Sequence, residues 1–179
     1  MKRTRKQLRT TAYHEAGHAV IGRVLTLVCG GASIKPDYAD ATAGFGITGD
    51  PWLCIWEWER RGKVRPSQRA VWRARIMTYM AGAEAEQELL GSTAGGDGSD
   101  RHEIALMGEE LSCHSDWERE EPRLRAMTRM LVRRHRDRIE KVAEALLAST
   151  SLSAKALDKL VGRSVDDVTV NAPELLLLQ

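Results

Sequence analysis

Residues 13–19 read Tyr13-His14-Glu15-Ala16-Gly17-His18-Ala19, which contains the pattern His-Glu-x-x-His. Residues four apart on a helix lie on one face, so His14 and His18 can direct two imidazoles at a single point. That is the spacing a tetrahedral zinc ion takes from one helix. Glu15, on the adjacent turn, could hold a water molecule and accept its proton. All of this requires a helix, and the flanking residues predict one. Val20, Val24 and Leu27 follow at spacings of four and three, the mark of an amphipathic helix over about residues 10–28. Thr10 or Thr11 is placed to cap it and Gly30-Gly31 to end it.

A catalytic zinc needs a third protein ligand and keeps a fourth position open. Asp97, Asp100, Glu84, Glu86, His102 and His114 could each supply that ligand. All six are distant from His14 in sequence, so only the fold can choose among them.

The rest of the chain reads as mainly helical. Residues 67–90 predict a helix capped by Ser67 and stopped by Gly91, with a close-packing stripe of Ala70, Ala74, Met77, Ala81 and Ala85. The Gly-rich stretch 91–99 must bend sharply, and a new helix is expected from about Asp100 to Cys113. Residues 114–148 read as one long helix, regular from near Glu120 because Pro122 suits only a first turn. It carries a dense band of arginines, read as a solvated face. A short helix over 153–161 is capped by Ser153 and closed by Gly162. Between the first two helices, Ala32–Lys35 and Gly44–Thr48 predict two short strands joined by a turn. Trp52, Trp56 and Trp58 follow, read as indoles plugging the side of a small core, the alternative being a flap over the cleft or a partner-docking patch. The expected fold class is therefore mainly α, with a small β-hairpin or edge strand beside the histidine helix. The expected organisation is a basic arm over 1–9, one domain over 10–162 and a C-terminal tail over 163–179.

Charge and composition narrow the function. The 27 basic and 25 acidic residues leave a net charge of +2, and no aromatic residues interleave the arginines, which argues against a nucleic-acid partner. No apolar run approaches the roughly 18 residues needed to span a membrane. Cys29, Cys54 and Cys113 are odd in number and form no Cys-x-x-Cys, so free thiols in a reducing compartment are expected. The basic start lacks a following apolar segment, and a cytoplasmic location is expected.

The wider string Thr11-Ala12-Tyr13-His14-Glu15-Ala16-Gly17-His18-Ala19-Val20 resembles the zinc helix of the FtsH-family ATP-dependent proteases. Ala81-Gly82-Ala83-Glu84-Ala85-Glu86 resembles that family's small-residue and acidic helix end. Gly95-Gly96-Asp97-Gly98-Ser99-Asp100 resembles its Thr-Gly-x-x-Asn-Asp turn, with Ser99 in place of Asn. His135–Ile139, Ala143–Leu147 and Ser151-Leu152-Ser153 resemble its terminal helices, so the likeness runs over roughly residues 8–162. It covers the peptidase domain only. It implies one zinc ion per chain held by His14, His18 and Asp100, with Glu15 as catalytic base. Glu86 would orient an imidazole, or stand in as the alternative ligand. Phe45, Gly46, Ile47 and Thr48 match an exposed edge strand that would hold an extended peptide by strand addition.

No Gly-x-x-x-x-Gly-Lys-Ser/Thr phosphate loop occurs in these residues. The resemblance then implies a stand-alone relative of the peptidase domain, acting on flexible peptides or unfolded proteins. A separate ATPase would deliver any stable substrate, and a homo-oligomer is the family's habit. The alternative is a non-catalytic zinc-binding relative serving as a protein-interaction module. The retained Glu15 argues against it, because a purely structural site has no use for that acid.

Overall fold

Thr4 and Gln7 start the first helix. In the computed structural model, which describes residues 3–25, 27, 29–36, 44–48, 56, 60, 67–93, 97–112 and 116–162, α1 spans Arg5–Val24. The Thr4 hydroxyl accepts from the Gln7 backbone N–H at 3.2 Å, and the Gln7 side chain accepts from the Thr4 N–H at 2.8 Å. This reciprocal capping box satisfies two of the helix's orphan donors. It also moves the start ahead of the expected Thr10 or Thr11, whose hydroxyls donate instead to the Lys6 and Gln7 carbonyls one turn back. Residues 5–9, expected in a basic arm, are the first turns of α1. The helix ends earlier as well, and Gly30-Gly31, expected to terminate it, lie in a strand.

That strand is β1 (Cys29–Ser33), which pairs antiparallel with β2 (Phe45–Thr48) and, on its other side, with β3 (Ser151–Leu152). Ala32 faces Gly46 and Ser33 faces Phe45, with an irregularity between Cys29 and Ala32. Among the described residues β2 is therefore an outer strand, as expected for Phe45–Thr48. The fold is mainly helical with this small antiparallel sheet.

Local signals place the other helices. α2 spans Gln68–Leu90, with the Ser67 hydroxyl accepting from Ala70 N–H and Gly91 closing it at φ 77°. α3 spans Gly98–Ser112, beginning slightly before Asp100. α4 spans Trp117–Arg134 and α5 spans Arg136–Ser149, so the single long helix expected over 114–148 is divided at His135. α4 starts at Trp117 rather than near Glu120, which puts Pro122 beyond its first turn. α6 spans Ala154–Val161, capped by Ser153 and closed by Gly162 at φ 73°.

Helix α1 packs on α2 and α5, and α2 packs in turn on α4. Ala12, Ala16, Val20 and Val24 form a fully buried row on α1, and Ala74, Met77, Ala81 and Ala85 of α2 belong to the same buried core. Three arginines of the expected solvated face reach across to α2. Arg129 pairs with Glu84 at 2.9 Å, Arg125 with Glu84 at 3.5 Å, and Arg133 with Glu88 at 2.6 Å. Trp56 is 57% exposed, against the expectation of a core-plugging indole, and Trp52 and Trp58 lie outside the described residues, as does the expected tail over 163–179. Cys29 is buried; Cys54 and Cys113 lie outside the described residues. Among the described residues no helix is long and apolar enough to cross a membrane.

Helix α1 lies tightly against α2 at Gly17, where a Cβ would run into the Ala81 carbonyl and the Ala85 methyl. Backbone cannot yield as a flexible side chain does. Gly17→Ala is expected to lower stability by about 1–2 kcal/mol, overpacking outweighing the gain in helix propensity. The change would be read as a lower urea midpoint with an unchanged m value.

Candidate metal centre

Two helical rows meet with matching intervals. On α1 they are His14 and His18; on α2, Thr78, Gly82 and Glu86, each four residues from the next. The His14 Nδ1–H donates to Glu86 Oε1 at 2.7 Å, and the His18 Nδ1–H donates to the Thr78 carbonyl at 2.7 Å. With both Nδ1 atoms engaged, both Nε2 atoms turn to the same point. Asp100, in the first turn of α3, meets them there: its Oδ2 lies 2.9 Å from His14 Nε2 and 3.3 Å from His18 Nε2. The two rings stand edge to face, 4.6 Å between centroids at 84°.

The donor set suits a divalent metal. One ligand atom from each of His14, His18 and Asp100 lies within 4.8 Å of the others, so the three form a cluster that could hold a metal ion. Donors about 2.0–2.1 Å from a tetrahedral zinc stand about 3.3 Å from one another, and the two Nε2–Oδ2 separations, 2.9 and 3.3 Å, are close to that. The bonds at Nδ1 leave Nε2 as the ligating nitrogen and anchor each ring from behind, the arrangement that orients metal-bound histidines.

Electrostatics reinforce the geometry. His14, Glu15, His18, Glu86 and Asp100 are all buried, none more than 9% exposed. Burial by itself would depress the His14 imidazole, but hydrogen bonds to Asp100 and Glu86 outweigh it and push the group up to about 10. Burial would raise Asp100, yet its hydrogen bonds to His14 and His18 hold it well below the usual carboxylate range. Glu15 is raised above the ordinary carboxylate value chiefly by burial, against the pull of His18 and His14. Its carboxylate sits under the entry to β2: a Cβ on Gly44 would come 2.8 Å from Glu15 Oε1 and 2.6 Å from the Ser33 carbonyl.

Of the six candidates for third ligand, the fold brings Asp100 to both Nε2 atoms and Glu86 to His14 Nδ1. Glu84 pairs with Arg129 and Arg125, and Asp97 with Arg101 at 2.7 Å. His102 is exposed, and His114 lies outside the described residues. Phe45, Gly46, Ile47 and Thr48 form the outer strand that Gly44 leads into beside Glu15. Sequence reasoning missed Thr78, Gly82 and Gly44. The first two had a signal, since they share the four-residue interval of His14 and His18. No protein-family model matches the chain, and no curated protein matches it.

Two measurements bear on this geometry. Glu86→Ala frees the His14 ring and is expected to weaken zinc binding about 10–100-fold in a chelator competition. The second concerns pH. The folded-state value of His14, about 10, lies above its ordinary 6.5, so in the metal-free protein its proton stabilises the fold fully below pH 6.5 and that contribution is lost as pH rises through about 10. A metal ion taking Nε2 must displace that proton. Calorimetry in buffers of differing ionisation enthalpy at about pH 7.5 should show proton release on zinc binding, with affinity rising about tenfold per pH unit from this group.

Proposed function

We propose that the protein is a zinc-dependent endopeptidase that hydrolyses peptide bonds in flexible or unfolded polypeptides. The observation that carries this reading is the convergence of His14 Nε2, His18 Nε2 and Asp100 Oδ2, with Glu15 buried beside them. His14, His18 and Asp100 would hold one zinc ion per chain, and Glu86 and the Thr78 carbonyl would fix the two imidazoles. Zinc there supplies Lewis acidity, making water acidic near neutral pH and polarising a peptide carbonyl.

Glu15 then acts as general base. It takes a proton from the attacking water as the new C–O bond forms, and returns it to the amine nitrogen as the C–N bond breaks. Its raised pKa suits the task, because a base works best when its pKa lies nearer the operating pH. The outer strand β2 supports a way of holding substrate. A strand edge offers backbone donors and acceptors that an extended peptide can pair with irrespective of its sequence. The likeness to the FtsH-family peptidase domain fits the same residues. In that reading substrates arrive already unfolded, or from a separate unfoldase, in a cytoplasmic setting; assembly of several copies would follow the family's habit.

The test is casein hydrolysis by zinc-loaded protein. Wild type is expected to cleave; Glu15→Gln should keep its zinc and lose about 10²–10⁴-fold in rate. His18→Ala should lose both zinc and activity. A zinc-loaded wild type that leaves casein intact would count against the peptidase reading and favour a metal-binding interaction module.

A further inference from the structure

Gly82 belongs to neither the ligand set nor the apolar stripe of α2, yet it faces both imidazoles. A Cβ built on it would stand 2.6 Å from His14 Cε1, 2.6 Å from His18 Nε2 and 2.7 Å from His14 Nε2. Real Cβ atoms essentially never come within 3.0 Å of such neighbours. The rings cannot swing aside freely, because His14 Nδ1 is tied to Glu86 and His18 Nδ1 to the Thr78 carbonyl, one turn to either side of Gly82 on the same helix. Any side chain at 82 must therefore break one of those bonds, or drive the two Nε2 atoms off Asp100.

We propose that Gly82 is a positioning residue of the metal centre: its lack of a side chain is what lets α2 hold both imidazoles with their Nε2 atoms converged on Asp100. The consequence for metal binding rests on the zinc reading above; the packing of Gly82 against the imidazoles does not. A methyl group at 82 would also take up space beside both Nε2 atoms, so Gly82→Ala should weaken metal binding without removing a ligand.

The experiment is a double-mutant cycle in the metal-free protein, combined with zinc titration. Thermal melts would compare Gly82→Ala in the wild-type background and in the His14→Ala/His18→Ala background, where the clash has been removed. The expected result is a lowered midpoint in the first and no loss in the second, with zinc affinity in the single variant weakened about 100-fold or more. If the single variant fails to fold, recovery of folding in the His14→Ala/His18→Ala background supports the proposal, and failure there too overturns it. Equal destabilisation in both backgrounds overturns it, as does wild-type zinc affinity in Gly82→Ala. If wild type binds no zinc but the melts still couple, the positioning role of Gly82 stands and the zinc reading falls.

Discussion

The structure depends on how closely α1 can lie against α2. At Gly17 the backbone of α1 meets the Ala81 carbonyl of α2, and at Gly82 the backbone of α2 meets the imidazoles of α1. Only at that separation do the two rings reach past the facing helix surface to a backbone carbonyl on one turn and a carboxylate on another. Helices α3 and α4 pack on α2, while the sheet, α5 and α6 attach to α1. Arg23 donates to the Ala19 and Gly30 carbonyls and pairs with Asp158 at 2.7 Å, joining α1 to β1 and α6. The sheet that carries β2 is thus fixed to the same helix that carries the histidines.

Charge imposes a second constraint on the same few residues. Glu15, Glu86 and Asp100 bring three buried carboxyl groups to two imidazoles. Buried charge is costly unless it is paired. The metal-free site meets that demand with protons, holding one on His14 and raising Glu15 so that it too gains protons more readily. A divalent cation among the same oxygens and nitrogens would remove the need for both. Proton and metal are therefore alternative solutions to one electrostatic problem, and the excess of carboxyl groups favours a cation over a neutral ligand.

Much of this was legible in the sequence where the signal is local. Ser67 and Ser153 cap their helices through hydroxyl acceptors, and Gly91 and Gly162 end them in the left-handed conformation, as expected from residue type alone. His14 and His18 needed only a helix. The start of α1 was misplaced because Thr4-x-x-Gln7 and Thr10-Thr11 both resemble caps, and only the fold shows that Thr10 and Thr11 bond back within the helix. The division at His135 has no Gly or Pro to announce it. Asp100 could be singled out from six candidates by resemblance but not by spacing, since its approach to His14 is a tertiary contact across 86 positions. The role of Gly82 carries no apolar-periodicity signal: the row of α2 that faces the histidines is Thr78, Gly82 and Glu86, small and polar, beside the apolar row that marks the helix.

Glu15 is where these constraints meet under the proposed function. It lies on α1 beside the two histidines, and its raised pKa comes from the burial that the packing of α1 imposes. Its outer side is closed by Gly44, where the chain enters β2, with room for a backbone and none for a side chain. A peptide pairing with the outer edge of β2 would then lie alongside a strand that the chain enters next to the base, at Gly44. The register of substrate against base would be set by backbone geometry, through Gly44 and the pairing of Ser33 with Phe45, rather than by side-chain recognition. That arrangement suits a sequence-tolerant peptidase, because what it aligns is the feature every polypeptide shares.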